Sequence, residues 1–154
     1  MTTDRVMTSK PATCGLHATL ADAARVMWAD DCGSVPVVDD AGRLYGLVTD
    51  RDICIATATR DRAPSQIGVA DLIGGPDAVV TCRPDDPITR VLALMRDRQV
   101  RRVPVTTADG TLVGIVSIND LVLEAGSSDV KTHDVLETLR AICAHRQAPV
   151  IASS

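Results

Sequence analysis

Aromatic residues are nearly missing from this chain of 154 residues, which has one Trp, one Tyr and no Phe. A protein that stacks a run of bases needs a row of aromatic faces, so a single-strand nucleic-acid platform is excluded. Any purine bound here must lie against aliphatic side chains. A basic surplus is missing too. Sixteen Lys and Arg stand against twenty Asp and Glu, and the net charge of −4 removes the electrostatic attraction on which nucleic-acid binding depends. No apolar run approaches the roughly 20 residues of a membrane span. The opening MTTDRVMTSK holds no apolar signal core. The expected compartment is therefore the cytoplasm, with neither nucleic acid nor membrane as partner.

Recognisable catalytic and metal spacings are also lacking. The chain has no GxSxG, no HExxH and no P-loop, so no catalytic set is legible and the expectation is a protein that is not an enzyme. Only a Cys–His pair assembled by folding stays open. The five cysteines, Cys14, Cys32, Cys54, Cys82 and Cys143, make no CxxC, and His17, His133 and His145 share no ligand spacing. Reduced, partly buried thiols and no metal are expected, with a disulfide, a redox role or a scattered metal site as alternatives.

What the chain does have is a copy of itself. Displaced by 68 residues, SVPVVDDAGRLYGLVTDRDI (34–53) lies over RVPVTTADGTLVGIVSINDL (102–121) without a gap. Val35, Pro36, Val37, Gly42, Leu44, Gly46, Val48 and Asp52 meet the same residue types in the second segment, and upstream Thr13-Cys14 meets Thr81-Cys82 and Met27 meets Met95. Such a register points to an internal duplication.

Each copy predicts the same string of elements. A short extended piece, 12–14 or 79–82, comes first. A helix follows, with a Thr19/Asp22 capping box and a stripe of Leu20, Ala23, Ala24, Met27 and Trp28 in copy one. In copy two Asp86 is expected to cap, Pro87 to open the helix, and Ile88, Val91, Leu92 and Met95 to repeat the stripe. Trp28 on that stripe reads as core or interface, and Tyr45 as packing. Two strands and a turn (DDAG or ADG) then form a hairpin, and a second helix starts at Asp50 or Ile118. Residues 57–68 read as the connector, and 125–129 as a break and N-cap before a C-terminal helix with an apolar stripe of Val135, Leu136, Leu139, Ile142 and Cys143. A copy of about 60 residues buries little surface alone, so the two are expected to pack as one unit.

The sequence thus predicts a mixed α/β (α+β) fold: two β-α-β-β-α repeats packed sheet to sheet with pseudo-two-fold symmetry, plus a C-terminal helix. The first repeat and connector span 1–66, the second repeat 67–126, the C-terminal helix 127–146 and a flexible tail 147–154.

The segments GLVTDRD (46–52) and GIVSIND (114–120) share Gly, two apolar residues, a hydroxyl residue, two variable positions and Asp. Each stands where a strand gives way to a helix, whose first N–H groups lack intrahelical partners and favour an anion. Thr49 or Ser117 can donate to a phosphate, Asp52 or Asp120 can accept from a ribose diol, and Gly46 or Gly114 allows close backbone approach. The same residues also make capping boxes worth about 1 kcal/mol each, and capping alone could explain both segments. Arg51, beside Asp52, reads either as a phosphate contact or as a solvated side chain; Arg96 and Arg98 read as a solvated helix face.

The repeat, with its VPV strand and intact Gly-to-Asp segment, resembles the CBS motif, and the tandem pair resembles a Bateman module over about residues 5–125. The chain is similar to stand-alone actinobacterial CBS pairs of the hypoxic response protein type, which implies a stress-response role. The resemblance implies clefts between paired sheets and an adenosyl regulatory ligand: AMP, ADP, ATP or S-adenosylmethionine. It assigns ribose to Asp52 and Asp120 and phosphate to Thr49 and Ser117. Adenine is assigned to Ala12, Thr13, Gly33, Ser34, Val35 and Pro36 in the first cleft, and to Val80, Thr81, Arg101, Arg102, Val103 and Pro104 in the second. Asn119 stands where Arg51 stands in copy one and joins the second site. Arg101-Arg102 replace Gly33-Ser34, so the clefts differ; the arginines could clamp phosphate or pair with Asp120.

Two functions follow. One is an adenosyl-ligand sensor acting in trans on an unknown protein partner, as a homodimer built on Leu20, Ala24, Met27 and Trp28 with their counterparts in copy two. The other is a ligand-free interaction protein of the same fold.

Overall fold

The computed structural model describes residues 1–144. The expected flexible tail, 147–154, lies outside the described residues. No helix among the described residues is long and apolar enough to cross a membrane.

The first repeat grows from a capped helix. Thr19 accepts from the Asp22 N–H while the Asp22 carboxylate accepts from the Thr19 N–H, which starts α1 (Leu20–Ala29). Leu20, Ala23 and Met27 turn inward and are buried. Trp28 does not follow them: it is 89% exposed, which corrects its placement in the core. At 100° per residue an i+8 position lies about 80° round from Leu20, beyond the face that the sheet covers. In the second repeat Ile88, Val91, Leu92 and Met95 of α3 (Ile88–Arg98) are buried as the stripe predicts. Its start differs from expectation. Pro87 is the N-cap, with no side-chain cap bond. Asp86 instead closes the preceding turn, accepting from the Arg83 N–H at 2.8 Å and lying 3.5 Å from the Arg90 guanidinium.

Both hairpins form in the same register. Strands β3 (Ser34–Val38) and β4 (Leu44–Thr49) pair Val35 with Val48; β5 (Arg102–Thr106) and β6 (Leu112–Ser117) pair Val103 with Val116. Each carries a register shift at its far end, at Val37/Val38 and Val105/Thr106. Their turns need a left-handed residue, supplied by Gly42 (φ 77) and Gly110 (φ 87). The two turns are bonded to each other: the Leu44 N–H donates to Gly110 O at 3.0 Å and the Leu112 N–H to Gly42 O at 3.1 Å. This reciprocal pair marks the local two-fold axis.

The expected opening strands are the weak point of the repeat. In copy one only β2 (Cys14–Gly15) forms, parallel to β3. In copy two residues 79–82 contribute a single bridge, Cys82 to Val105. Meanwhile the segment before each repeat crosses to the other. Strand β1 (Thr8–Ser9) adds to β6 of the second repeat, and buried Thr3 donates both its N–H and its hydroxyl to Asp86 O. In return Ile67 and Val69 are buried in the first repeat's core, with Leu20 N–H on Ile67 O and Val69 N–H on Ala18 O. The crossing fills the space at the two strand glycines. A Cβ on Gly46 would fall 2.7 Å from Ile73 Cγ2, and one on Gly114 would collide with the Met7 side chain. The room expected there for a ligand is therefore occupied by the chain itself.

Helix α2 (Asp50–Arg60) runs through the first four residues expected to be connector. Thr57 and Thr59 stay helical by donating their hydroxyls to Ile53 O and Ile55 O, and Asp61 ends the helix in a left-handed conformation (φ 48). Helix α4 (Ile118–Leu123) is short. Residues 125–129 do not cap the last helix: Ser127 accepts from the Val130 N–H, and α5 (Thr132–Cys143) starts after Lys131 without a side-chain cap. It lies on α3, burying Val135 and Thr138, while Leu136 points outward. The Thr138 hydroxyl bonds to Asp134 O, and Gln99 Nε2 donates to Ala141 O across the interface. Arg96 is exposed and lies 4.0 Å from Glu137 of α5.

Candidate functional site

Each repeat has a corner where β4 or β6 passes into α2 or α4. The N-cap is Thr49 in one and Ser117 in the other, in extended conformation, and both capping boxes are complete. Thr49 Oγ1 accepts from the Asp52 N–H at 3.1 Å and the Asp52 carboxylate accepts from the Thr49 N–H at 3.0 Å. In the second corner the Ser117 N–H and hydroxyl both donate to Asp120 Oδ2, at 2.7 and 2.8 Å. The next helical amide is used in the same way in both: Asp50 N–H donates to Gly33 O at 3.0 Å and Ile118 N–H to Arg101 O at 2.8 Å. The strand before the Pro is thereby tied to the helix start, and Gly33-Ser34 and Arg101-Arg102 stand at the two corners.

The corners then part company. In the second, a pocket of about 290 Å³ is lined by Arg101, Arg102, Ser117, Ile118 and Asn119 and by Leu139, Ile142 and Cys143 of α5. Its volume is at the lower end of ordinary ligand sites, about 300–1,000 Å³. Four of the expected site residues, Arg101, Arg102, Ser117 and Asn119, come together there. Val80 and Thr81 are half-buried and Val103 and Pro104 buried, and none of them lines the pocket; neither does Asp120, whose carboxylate is turned onto Ser117. Among the described residues neither Arg101 nor Arg102 forms an ion pair, so the pairing with Asp120 is not made. In the first corner Ala12 is half-buried and Thr13 exposed ahead of β2, Ser34, Val35 and Pro36 are buried in β3, and Arg51 and Asp52 are exposed.

Sequence reasoning missed the three α5 residues of the pocket. The apolar stripe of that helix was the signal: Leu139 and Ile142 had to face something, and what they face is the Ser117 corner.

Burial, rather than chemistry, explains the inner cysteines. Cys14 and Cys82 are buried, and desolvation, helped by the charges of Asp22 and Asp86 respectively, pushes both thiols up, Cys82 to about 11. All five cysteines are unpaired.

With this geometry the protein class is plain. The sequence profile of the CBS domain matches residues 4–58 and again 76–126, and the chain belongs to the CBS-domain family as a tandem pair. It is 34% identical over 144 residues, 93% of this chain and 95% of the relative, to hypoxic response protein 1 of Mycobacterium tuberculosis. The crystal structure of hypoxic response protein I with two coordinated zinc ions superposes with a TM-score of 0.73 at 33% identity, covering 81% of this chain and 99% of that one. A CBS-domain protein of Pyrobaculum aerophilum, complexed with AMP, superposes with a TM-score of 0.73 over 91% of this chain and 99% of that one; at 22% identity this likeness concerns the fold. Among the described residues no three His, Cys, Asp or Glu side chains gather as a metal site would need.

Proposed function

We propose that the chain is a non-catalytic regulatory module that binds an adenosine-containing ligand, AMP, ADP, ATP or S-adenosylmethionine, and acts in trans on a protein partner. The observation that carries the reading is the pocket at the second corner. Two arginines, a hydroxyl and an amide converge there, and Ile118, Leu139 and Ile142 provide the aliphatic wall that a chain so poor in aromatics must offer a purine. A ligand's ribose would have to draw Asp120 away from its cap. A ligand-free interaction protein is the second reading, and the two complete capping boxes favour it, since both carboxylates already have work inside the protein.

Thermal denaturation with a panel of adenosyl compounds separates the two. A ligand at 100 times its Kd stabilises the fold by about 2.7 kcal/mol, a rise of about 5–10 °C in Tm. Asp52→Ala and Asp120→Ala each also remove a cap, so the readout is the ligand-induced rise in each variant rather than its Tm. Binding predicts that at least one variant loses that rise. No rise with any compound selects the second reading.

Of the face expected for a homodimer, Leu20 and Met27 are buried in their own core and Ala24 is half-buried, so they offer little to a second copy. Trp28 (89% exposed) remains, together with Ile55 (48%) of α2 and Leu123 (84%) of α4, which occupy equivalent positions of the two repeats. Light scattering at twice the chain mass, returning to the chain mass in Trp28→Glu/Leu123→Glu, is the expected result; a wild-type monomer overturns it.

A further inference from the structure

We infer that the chain takes one phosphate-bearing ligand, at the second corner alone, because Asp50 already holds the anion position of the first. The inference rests on the adenosyl-ligand reading and adds which cleft is used and what charge the ligand carries.

The 68-residue register places Ile118 where Asp50 stands, Arg101 where Gly33 stands and Arg102 where Ser34 stands. In the first corner Asp50 is exposed, and its carboxylate folds back on the start of its own helix. Its Oδ1 accepts from the Arg51 N–H at 2.8 Å, next to the Asp50 N–H on Gly33 O and the Asp52 N–H on Thr49 Oγ1. Three successive amides of the helix start are thus used by the protein's own oxygens. The other oxygen of Asp50 sits 3.1 Å from the point where a Gly33 Cβ would be. A phosphate entering here would meet a fixed negative charge and no unused donor among those three amides.

The second corner shares two of these amide bonds, Ile118 N–H on Arg101 O and Asp120 N–H on Ser117 Oγ, and differs in its charged side chains. Ile118 has no side-chain oxygen to offer, and no Asp or Glu lines the pocket, while Arg101 and Arg102 do. Arg102 also reaches across the repeats, its Nη2 lying 3.4 Å from the same Gly33 Cβ point that Asp50 approaches. Arg102 thus has the Asp50 carboxylate in its neighbourhood, whereas Arg101 has no ion-pair partner among the described residues, and a phosphate in the pocket would supply one. Planar guanidinium forks suit phosphate oxygens in particular. A sulfonium such as S-adenosylmethionine brings another positive charge to the same place. The apolar wall from α5 gives the ligand's base an aliphatic surface beside these charges.

Calorimetric titration of the full chain with ADP, with adenosine and S-adenosylmethionine alongside, tests this. One ADP per chain is expected, bound more tightly than either other compound. Arg101→Gln and Arg102→Gln should each weaken ADP at least about tenfold, while Arg51→Gln leaves it within about twofold. Arg101 is exposed, so its variant keeps the fold even if the half-buried Arg102 does not tolerate loss. Two ADP sites per chain, or Arg51→Gln weakening ADP as much as Arg101→Gln, overturns the inference. Adenosine or S-adenosylmethionine binding as tightly as ADP overturns it too but leaves the adenosyl reading standing. No binding by any of the three removes both.

Discussion

Leu121→Ala is expected to lower the free energy of unfolding by about 2–5 kcal/mol, the cost of removing a large apolar side chain that the core cannot refill. Leu121 has no exposed surface and lies in the cluster that joins Val116 of β6 and Ile118 of α4 to Val130 and Val135 of the C-terminal segment. Its loss would loosen the element that carries Ser117 together with the helix that roofs the pocket. Val122→Ala, the next residue, is the control: that side chain is 43% exposed, and its shortening should cost less than about 0.5 kcal/mol. Urea denaturation of both variants measures the contrast. Equal losses would mean that α4 is not seated as described.

Gly46→Val should destabilise by about 3 kcal/mol for the opposite reason, too much volume rather than too little. The added Cβ would stand 2.7, 2.8 and 2.9 Å from Ile73 Cγ2, Cβ and Cδ1. Ile73 is β-branched and stiff about χ1, so it cannot swing clear. Either β4 or the crossing segment must move. The double variant Gly46→Val/Ile73→Ala should recover at least about 1 kcal/mol relative to adding the two single effects, as expected for side chains in contact. Strict additivity in the double-mutant cycle would show that the segment before the second repeat does not rest on the first.

The sequence made legible what is local. The hairpins, the Thr19, Thr49 and Ser117 caps and the stripes of α1 and α3 depend on residues within a few positions of one another, and all appear as expected apart from Trp28 and the start at Pro87. The crossing segments were invisible for a definite reason. Met7 and Ile73 play the same part, yet they are 66 residues apart, so comparison at a displacement of 68 passes over them.

The candidate site was legible to a similar depth. The hydroxyl-to-Asp spacing located both corners, and the exchange of Gly33-Ser34 for Arg101-Arg102 announced that they differ. The direction of the Asp50 carboxylate was not readable, because an Asp at a helix start serves equally as a solvated charge or as an acceptor for the next amide. Nor was the seat of α5, since an apolar stripe says that a helix is covered without saying by what.

The crossing of the leading segments also sets an order of events during synthesis. Residues 1–10 are made before the strand that receives them, Leu112–Ser117, which follows roughly a hundred residues later. The first half has its own cover, Ile67 and Val69, soon after its hairpin is complete, and can close early. The second half must wait for the far end of the chain to return, so its closure is a long-range step that comes last and slowest.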